Sequence, residues 1–224
     1  MHKTVAATLI IALILPLLTL TLTVAQETQP IVGVNTGDWI EYSVKNAGAV
    51  PAAQDLTWAK IEILKVEGEA FEANFTVEYV NGTMASAVRS FNFSEGNVQA
   101  WIIIPANLSL GQSFHDSSIN SNVIIQGQIQ KTVAGAERTV TYVNSTQGGE
   151  VRNKQWDKAT GFYVQSEDNL GTYTVNAQAI ATNIWSPQIF GLNQNMFYLI
   201  VAAIVVVIAV IAAVAVISRK KKRK

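Results

Sequence analysis

Few side chains in this 224-residue chain are of the types that carry chemistry. Beyond the N-terminal segment there is one histidine, His115, and it stands beside Asp116. A serine hydrolase would need that imidazole as its base, with a nucleophile and an orienting acid converging on it. No Gly-x-Ser-x-Gly elbow supplies the nucleophile, no His-Glu-x-x-His spacing supplies a zinc site, and no glycine-rich phosphate loop occurs. The paired carboxylates Glu67/Glu69 and Glu167/Asp168 are of the kind a glycosidase uses. Both pairs flank turns, where solvated loops account for them. Calcium bound by Asp157, Glu167 and Asp168 would lack any EF-hand loop. The absence of cysteine removes thiol catalysis, disulfide exchange and thiolate zinc sites. The residues therefore nominate no catalytic group, metal or cofactor, and the expectation is that the chain is not an enzyme. A hydrolase built on His115 is the residual alternative.

Binding chemistry has more to work with. Trp39, Trp58, Trp101 and Trp156 lie in or at the ends of strand-like runs. Packed inward they are core; a subset facing one concave surface could stack on sugars or hold an acyl chain. Asn-x-Ser/Thr occurs at Asn74, Asn81, Asn92, Asn107 and Asn144, whereas the sixteen asparagines and their neighbours predict about two such sites by chance. Each falls on an outward strand position or in a turn, where a glycan could be carried. These five are the glycosylation candidates.

The elements that must position these residues are strands. Phe71, Ala73, Phe75, Val77 and Tyr79 alternate with Glu72, Asn74, Thr76 and Glu78, the period of a strand with one buried and one wet face. Tyr173, Val175, Ala177 and Ala179 repeat the pattern; Val123, Ile125 and Ile129 follow it less cleanly among glutamines. Turns punctuate the runs at Gly68, Asn81-Gly82, Gly96, Gly148-Gly149 and between Asp157 and Gly161. Asn81-Gly82 suits a type I′ hairpin. Thr76–Thr83 matches Thr139–Thr146 at an offset of 63, either a duplicated strand-turn-strand unit or convergence of two alternating strands. The expectation is an all-β domain, an antiparallel meander of about ten strands forming a curved sheet, half-barrel or sandwich.

Two apolar segments flank that domain. Val5–Leu18, after Lys3 and before small residues at Thr23 and Ala25, reads as a signal peptide cleaved after residue 25, or as an uncleaved signal anchor. Met196–Ile217 is free of charge, glycine and proline, and as a helix it spans about 33 Å, enough for a hydrocarbon core of about 30 Å. Trp185, Phe190, Phe197 and Tyr198 cluster before and at its N-terminal end, where an interfacial aromatic belt belongs, and Arg219–Lys224, six consecutive cations, follow it. The positive-inside bias then puts the tail in the cytoplasm and the domain outside, a single-pass type I arrangement in the cell membrane. The organisation expected is a signal peptide over 1–25, an extracellular β domain over 26–184, a juxtamembrane linker over 185–195, the membrane helix over 196–217 and a basic tail over 218–224.

Charge is segregated accordingly. All sixteen acidic residues lie between Glu27 and Asp168, where nine basic residues leave a net of −7. An acidic domain argues against nucleic acid as a partner.

Gly37-Asp-Trp-Ile-Glu-Tyr42, Trp156-Asp-Lys-Ala-Thr-Gly161 and the helix with its basic tail resemble uncharacterised archaeal surface-anchored proteins. Their β domains are similar to the curved antiparallel half-barrels of lipoprotein carriers such as LolA, a likeness that covers residues 34–184. Sequons without cysteine point the same way. The resemblance implies a surface-anchored half-barrel and carries no assigned activity to any position here. The first functional expectation is a membrane-anchored binding module for a hydrophobic ligand, a glycan or a surface-layer protein. The alternative is a structural glycoprotein of the cell envelope.

Overall fold

The structure is a computed structural model, and it describes residues 30–99, 102–190 and 192–221. The expected signal peptide, Trp101 and the last three residues lie outside the described residues.

The domain is all-β. Its main sheet comprises β1 (Trp39–Gly48), β2 (Leu56–Glu67), β3 (Ala70–Tyr79), β4 (Met84–Asn92), β7 (Gly127–Val133), β8 (Ala136–Gln147), β9 (Glu150–Asp157), β10 (Tyr163–Asn169) and β11 (Tyr173–Thr182). A short hairpin, β5 (Ser113–Asp116) with β6 (Ser121–Ile124), stands apart from it. The sheet runs β4-β3-β2-β1-β11-β10-β9-β8-β7, antiparallel throughout. Two meanders, β1 to β4 and β7 to β11, are thus joined where the first strand pairs with the last. β4 and β7 are left as open edges.

Alternation dictates which face is buried. In β3, Phe71, Ala73 and Phe75 are buried while the residues between them are half-exposed. Cross-strand pairing puts Ile61 and Ile63 of β2 and Phe91 of β4 on the same face. That face is concave. The Tyr42 hydroxyl of β1 donates to the carbonyl of Tyr163 on β10 at 2.6 Å, reaching past β11, and the two rings lie 6.0 Å apart.

Because β4 and β7 are opposite edges, the segment between them must cross the open side. The described residues of 93–126 do so, and they bury Phe93, Val98, Ile102, Ile103, Ile104, Phe114 and Ile125 against the sheet. Phe93 meets Phe71 edge-on, and Phe114 meets Trp156. The less clean alternation of 123–130 has its cause here. β6 ends at Ile124, Ile125 enters the core at 0% exposure while its backbone bonds Gly111 and Gln112 just before β5, and β7 starts at Gly127.

The turns follow backbone chemistry. Asn81-Gly82 closes a hairpin, as its sequence suggests, but only Gly82 takes a positive φ (80°), so the turn is not type I′. Gly82 N–H donates to the Tyr79 carbonyl, and the Asn81 side chain accepts from Thr83 N–H. Two-residue turns with positive φ at both positions fall at Gly148-Gly149 (61° and 87°), which the glycines announce, and at Ala134-Gly135 (45° and 80°), which no Asn or Asp advertises. The octapeptides matched at an offset of 63 are not structurally equivalent: the first contains the Asn81-Gly82 turn, whereas Asn144 is paired with Asn153 inside the ladder. The likeness is one of strand alternation.

Past β11, the segment expected to be a linker is docked on the domain. Trp185 is buried, donates from Nε1 to the Val133 carbonyl at 3.1 Å, and carries the Arg138 guanidinium 4.7 Å from its ring. A two-residue hairpin, β12 (Gln188–Ile189) with β13 (Leu192–Asn193), leads directly into α1 (Gln194–Lys221). Its window Gln194–Ala212 is long and apolar enough to cross a membrane, and none of it is buried against the domain.

Arg138 also holds Asp157, from Nε at 2.7 Å and Nη2 at 3.1 Å, while Asp157 Oδ1 accepts from Thr160 N–H and Oγ. The Thr160 turn aims Gly161 at the crossover: its φ is +75°, and a Cβ there would lie 1.9 Å from the Ile104 carbonyl oxygen. Gly82, also at positive φ, has open space around it. Gly161→Ala is therefore expected to lower stability by more than about 2 kcal/mol, through backbone collision added to left-handed strain. Gly82→Ala should cost only the strain, about 1–2 kcal/mol. Urea unfolding of both variants checks the difference, and equal losses would show that the crossover does not depend on the close approach at Gly161.

Candidate functional site

The crossover and the β5–β6 hairpin fill only part of the concave face. The rest is a cavity of about 650 Å³, within the range of small-molecule sites. Its walls come from β3 (Phe75, Val77), β2 (Ala59, Ile61), β1 (Tyr42, Val44), β11 (Val175, Ala177), β10 (Tyr163, Ser166, Asp168) and β9 (Arg152, Lys154). Strands as far apart as β3 and β9 line one cavity only because the sheet curls. Most of the lining is aliphatic or aromatic, as inward positions of alternating strands should be.

The exceptions are Gln54, Lys60 and a polar patch at one end. In the β9–β10 register, Lys154 stands opposite Ser166 and Arg152 opposite Asp168. Four polar side chains therefore occupy adjacent positions on a largely apolar face. Ser166 is buried. Burial pushes the Lys154 ammonium down, opposed by the charges of Asp168 and Asp116. Burial likewise pushes the Asp168 carboxyl up, opposed by Lys154 and Arg152. Asp168 Oδ1 is enclosed and accepts no hydrogen bond. Among the described residues no carboxylate lies within ion-pair distance of Lys154; Arg152 pairs with Glu150 at 2.7 Å. Deeper in, burial raises the Tyr42 and Tyr163 phenols well above their usual range, so both stay protonated and Tyr42 remains a donor.

Arg152 and Lys154 also line a second chamber of about 420 Å³ on the far side of the patch. Its other walls include Ser145, Glu150, Asp116 and Val143. The patch is the waist between an apolar chamber and a more polar one.

The residues singled out by type fall elsewhere. His115 and Asp116 are neighbours on strand β5 and project to opposite sides. His115 faces Asn122, 3.3 Å from Nδ1 to Oδ1, while the buried Asp116 accepts from Ser118 N–H and Oγ. They do not form a dyad. Asp157 is committed to Arg138 and Thr160, and no group of three acidic or histidine side chains converges on a metal position among the described residues. Glu67 lies in an exposed ion pair with Lys65, at 2.8 Å.

Among the described residues, Trp39, Trp58 and Trp156 do not gather on one surface either. Trp156 is fully buried against Phe114 and Tyr163. Trp39 and Trp58 pair with Glu62 and Glu78 on the convex face, and Lys60 stands 5.1 Å from the Trp39 ring. The cavity's aromatics are Tyr42, Phe75, Tyr163 and Tyr173. All five sequon asparagines lie away from the cavity. Asn74 and Asn144 are on the convex face, Asn81 and Asn92 head Asx turns with Thr83 and Ser94, and Asn107 takes a positive φ of 64° in the crossover.

Sequence reading missed Arg152, Lys154, Ser166 and Asp168 as a group. Charged residues at inward positions of two consecutive strands are the one signal that could have found them, and it needs the register to be known. No protein-family model and no curated protein matches the chain.

The Asp168 shift has a stability consequence. A carboxyl whose folded-state pKa is raised contributes stability that is present in acid and is lost as pH rises through that pKa. Asp168→Asn is expected to raise the unfolding temperature at pH 7, with the gain shrinking toward pH 3. Thermal melts across that range check it. A gain that grew toward acid would reverse the assignment of burial as the dominant cause.

Proposed function

We propose that the chain is a membrane-anchored extracellular binding module whose ligand lies with its hydrophobic part in the concave cavity. The observation that carries this reading is the cavity itself. A curved sheet of this size normally closes its concave side with side chains, yet here an apolar volume of about 650 Å³ stays open, walled by six strands and ending at charged groups. Burying a hydrophobic ligand there would remove apolar wall from water, which favours binding at about 25 cal/mol per Å² of area covered. The C-terminal helix, with its basic tail, would hold the domain on the outer face of the cell membrane in the type I orientation. The docking of Trp185 and β12 on the β7–β8 turn would keep the domain close to that membrane, where hydrophobic ligands reside.

The second reading, a structural glycoprotein of the envelope, draws on the placement of the sequons. Glycans on Asn74, Asn81, Asn92, Asn107 and Asn144 would decorate the convex face and turns and leave the cavity clear. The two readings are compatible in one molecule and differ in whether the cavity is occupied.

The test is mass spectrometry of the intact full-length chain isolated from its native membrane in nanodiscs. Wild type should carry a stoichiometric small molecule beyond any glycan mass. Ala177→Phe, which places a ring in the cavity, should reduce that molecule at least tenfold with the far-ultraviolet spectrum unchanged. A wild-type chain carrying glycans alone would support the envelope role instead.

A further inference from the structure

The polar patch restricts the chemistry of the ligand's head, an inference that rests on the cavity reading above. Charges of both signs meet at the waist: Arg152 and Lys154 stand among Asp168 and Glu150, Asp116 adds a carboxylate in the second chamber, and Lys60 adds a cation in the first. A carboxylate or phosphate head seated on Lys154 would also stand beside Asp168, and an ammonium seated on Asp168 would stand beside Lys154. Each would meet a like charge in a partly desolvated site, where repulsion is little screened. An uncharged head avoids both conflicts.

The unsatisfied groups indicate what kind of uncharged head. Asp168 Oδ1 is an enclosed acceptor without a donor, and Lys154 is a partly buried donor without a carboxylate partner among the described residues. They sit on adjacent strands within one patch. A hydroxyl donates one hydrogen bond and accepts others, so neighbouring hydroxyls can satisfy an acceptor and a donor together without bringing charge. The second chamber continues the patch with Ser145, Glu150 and Arg152, room and partners for more hydroxyls.

We infer that the cavity selects an amphiphile with an uncharged, polyhydroxylated head, a polyol or sugar, whose hydroxyls bridge Asp168 and Lys154 while its chain lies against Ile61, Phe75 and Ala177. The polar waist then acts as a filter that rejects fatty-acid-like and cationic amphiphiles of equal chain length. Hydrogen bonds to charged groups supply the preference.

The experiment compares four probes sharing an eight-carbon chain: octyl glucoside, octanoate, octyltrimethylammonium and octylphosphocholine. Each is titrated below its micelle concentration into the full-length chain in nanodiscs, with empty nanodiscs correcting for partition into lipid. Methyl NMR of Ile61 and Ala177 reports occupancy. Octyl glucoside should bind at least tenfold more tightly than the other three. Asp168→Asn and Lys154→Gln, both close in shape to the parent, should each weaken octyl glucoside about tenfold and narrow its margin over octanoate. Tighter binding of a charged or zwitterionic probe, or glucoside binding indifferent to both substitutions, would overturn the head-group assignment and leave the cavity reading standing. If no probe moves the Ile61 and Ala177 methyls, the cavity reading itself fails, and the assignment with it.

Discussion

The antiparallel pairing of β1 with β11 governs the rest of the domain. Nine residues of the first strand are in register with the last, from Ile40 opposite Thr182 to Gly48 opposite Tyr173. This seam joins two meanders that would otherwise be separate small sheets, each with a face too narrow to bury a core. It also places β4 and β7 at opposite edges, so the connection between them must traverse the concave side. The crossover is a consequence of topology, and its isoleucines and phenylalanines are apolar because they land on the inner face of the sheet.

The site is what that traverse leaves uncovered. The segment is anchored at the β7–β10 end, where Ile104 N–H bonds to the Gly161 carbonyl, Asn107 N–H to the Lys158 carbonyl, and Tyr163 N–H to the Ile102 carbonyl. Over β1, β2 and β11 no residue of 93–126 lines the cavity among the described residues. Asp157 stands behind this anchoring: its carboxylate holds the turn that presents Gly161 and is itself held by Arg138, whose guanidinium packs on Trp185. One part-buried ion pair thus links the crossover, the β9–β10 turn and the segment leading to the apolar C-terminal helix. Removing one partner of such a pair strands a buried charge, which is why its geometry is under strong constraint.

Placing polar side chains on the inner face has a cost that the fold accepts. Lys154 and Asp168 are each displaced from their ordinary titration by burial, and Asp168 keeps an enclosed oxygen unbonded. Groups left in this state contribute nothing to folding, and leucine or valine at the same positions would stabilise more. Their presence in a largely apolar cavity is the observation on which the proposed ligand with a polar end rests.

What the sequence determined alone was everything that depends on local pattern. Period two specified strands and, in β3, which side chains face inward, because backbone pleating enforces alternation wherever the residues sit. An uninterrupted apolar run specified a helix long enough to span a membrane, and glycine-bearing turns marked where strands end. Pairing across long separations was not legible. That β1 meets β11 is decided by closure of the whole chain, because the paired residues stand 125 to 142 positions apart, and the register setting Arg152 opposite Asp168 depends on an irregularity between Tyr163 and Gln165 that alternation does not announce. The tryptophans show the same limit: Trp58 and Trp156 look alike in sequence, yet one faces outward and the other is fully buried. His115 and Asp116 looked like a pair because they are adjacent, and strand geometry turned them apart. The linker before the helix became a docked segment because Trp185 finds the Val133 carbonyl 52 residues earlier. Local sequence selects the elements; only the tertiary fold decides which of their faces meet, since a cavity belongs to side chains from six strands at once and to none of them singly.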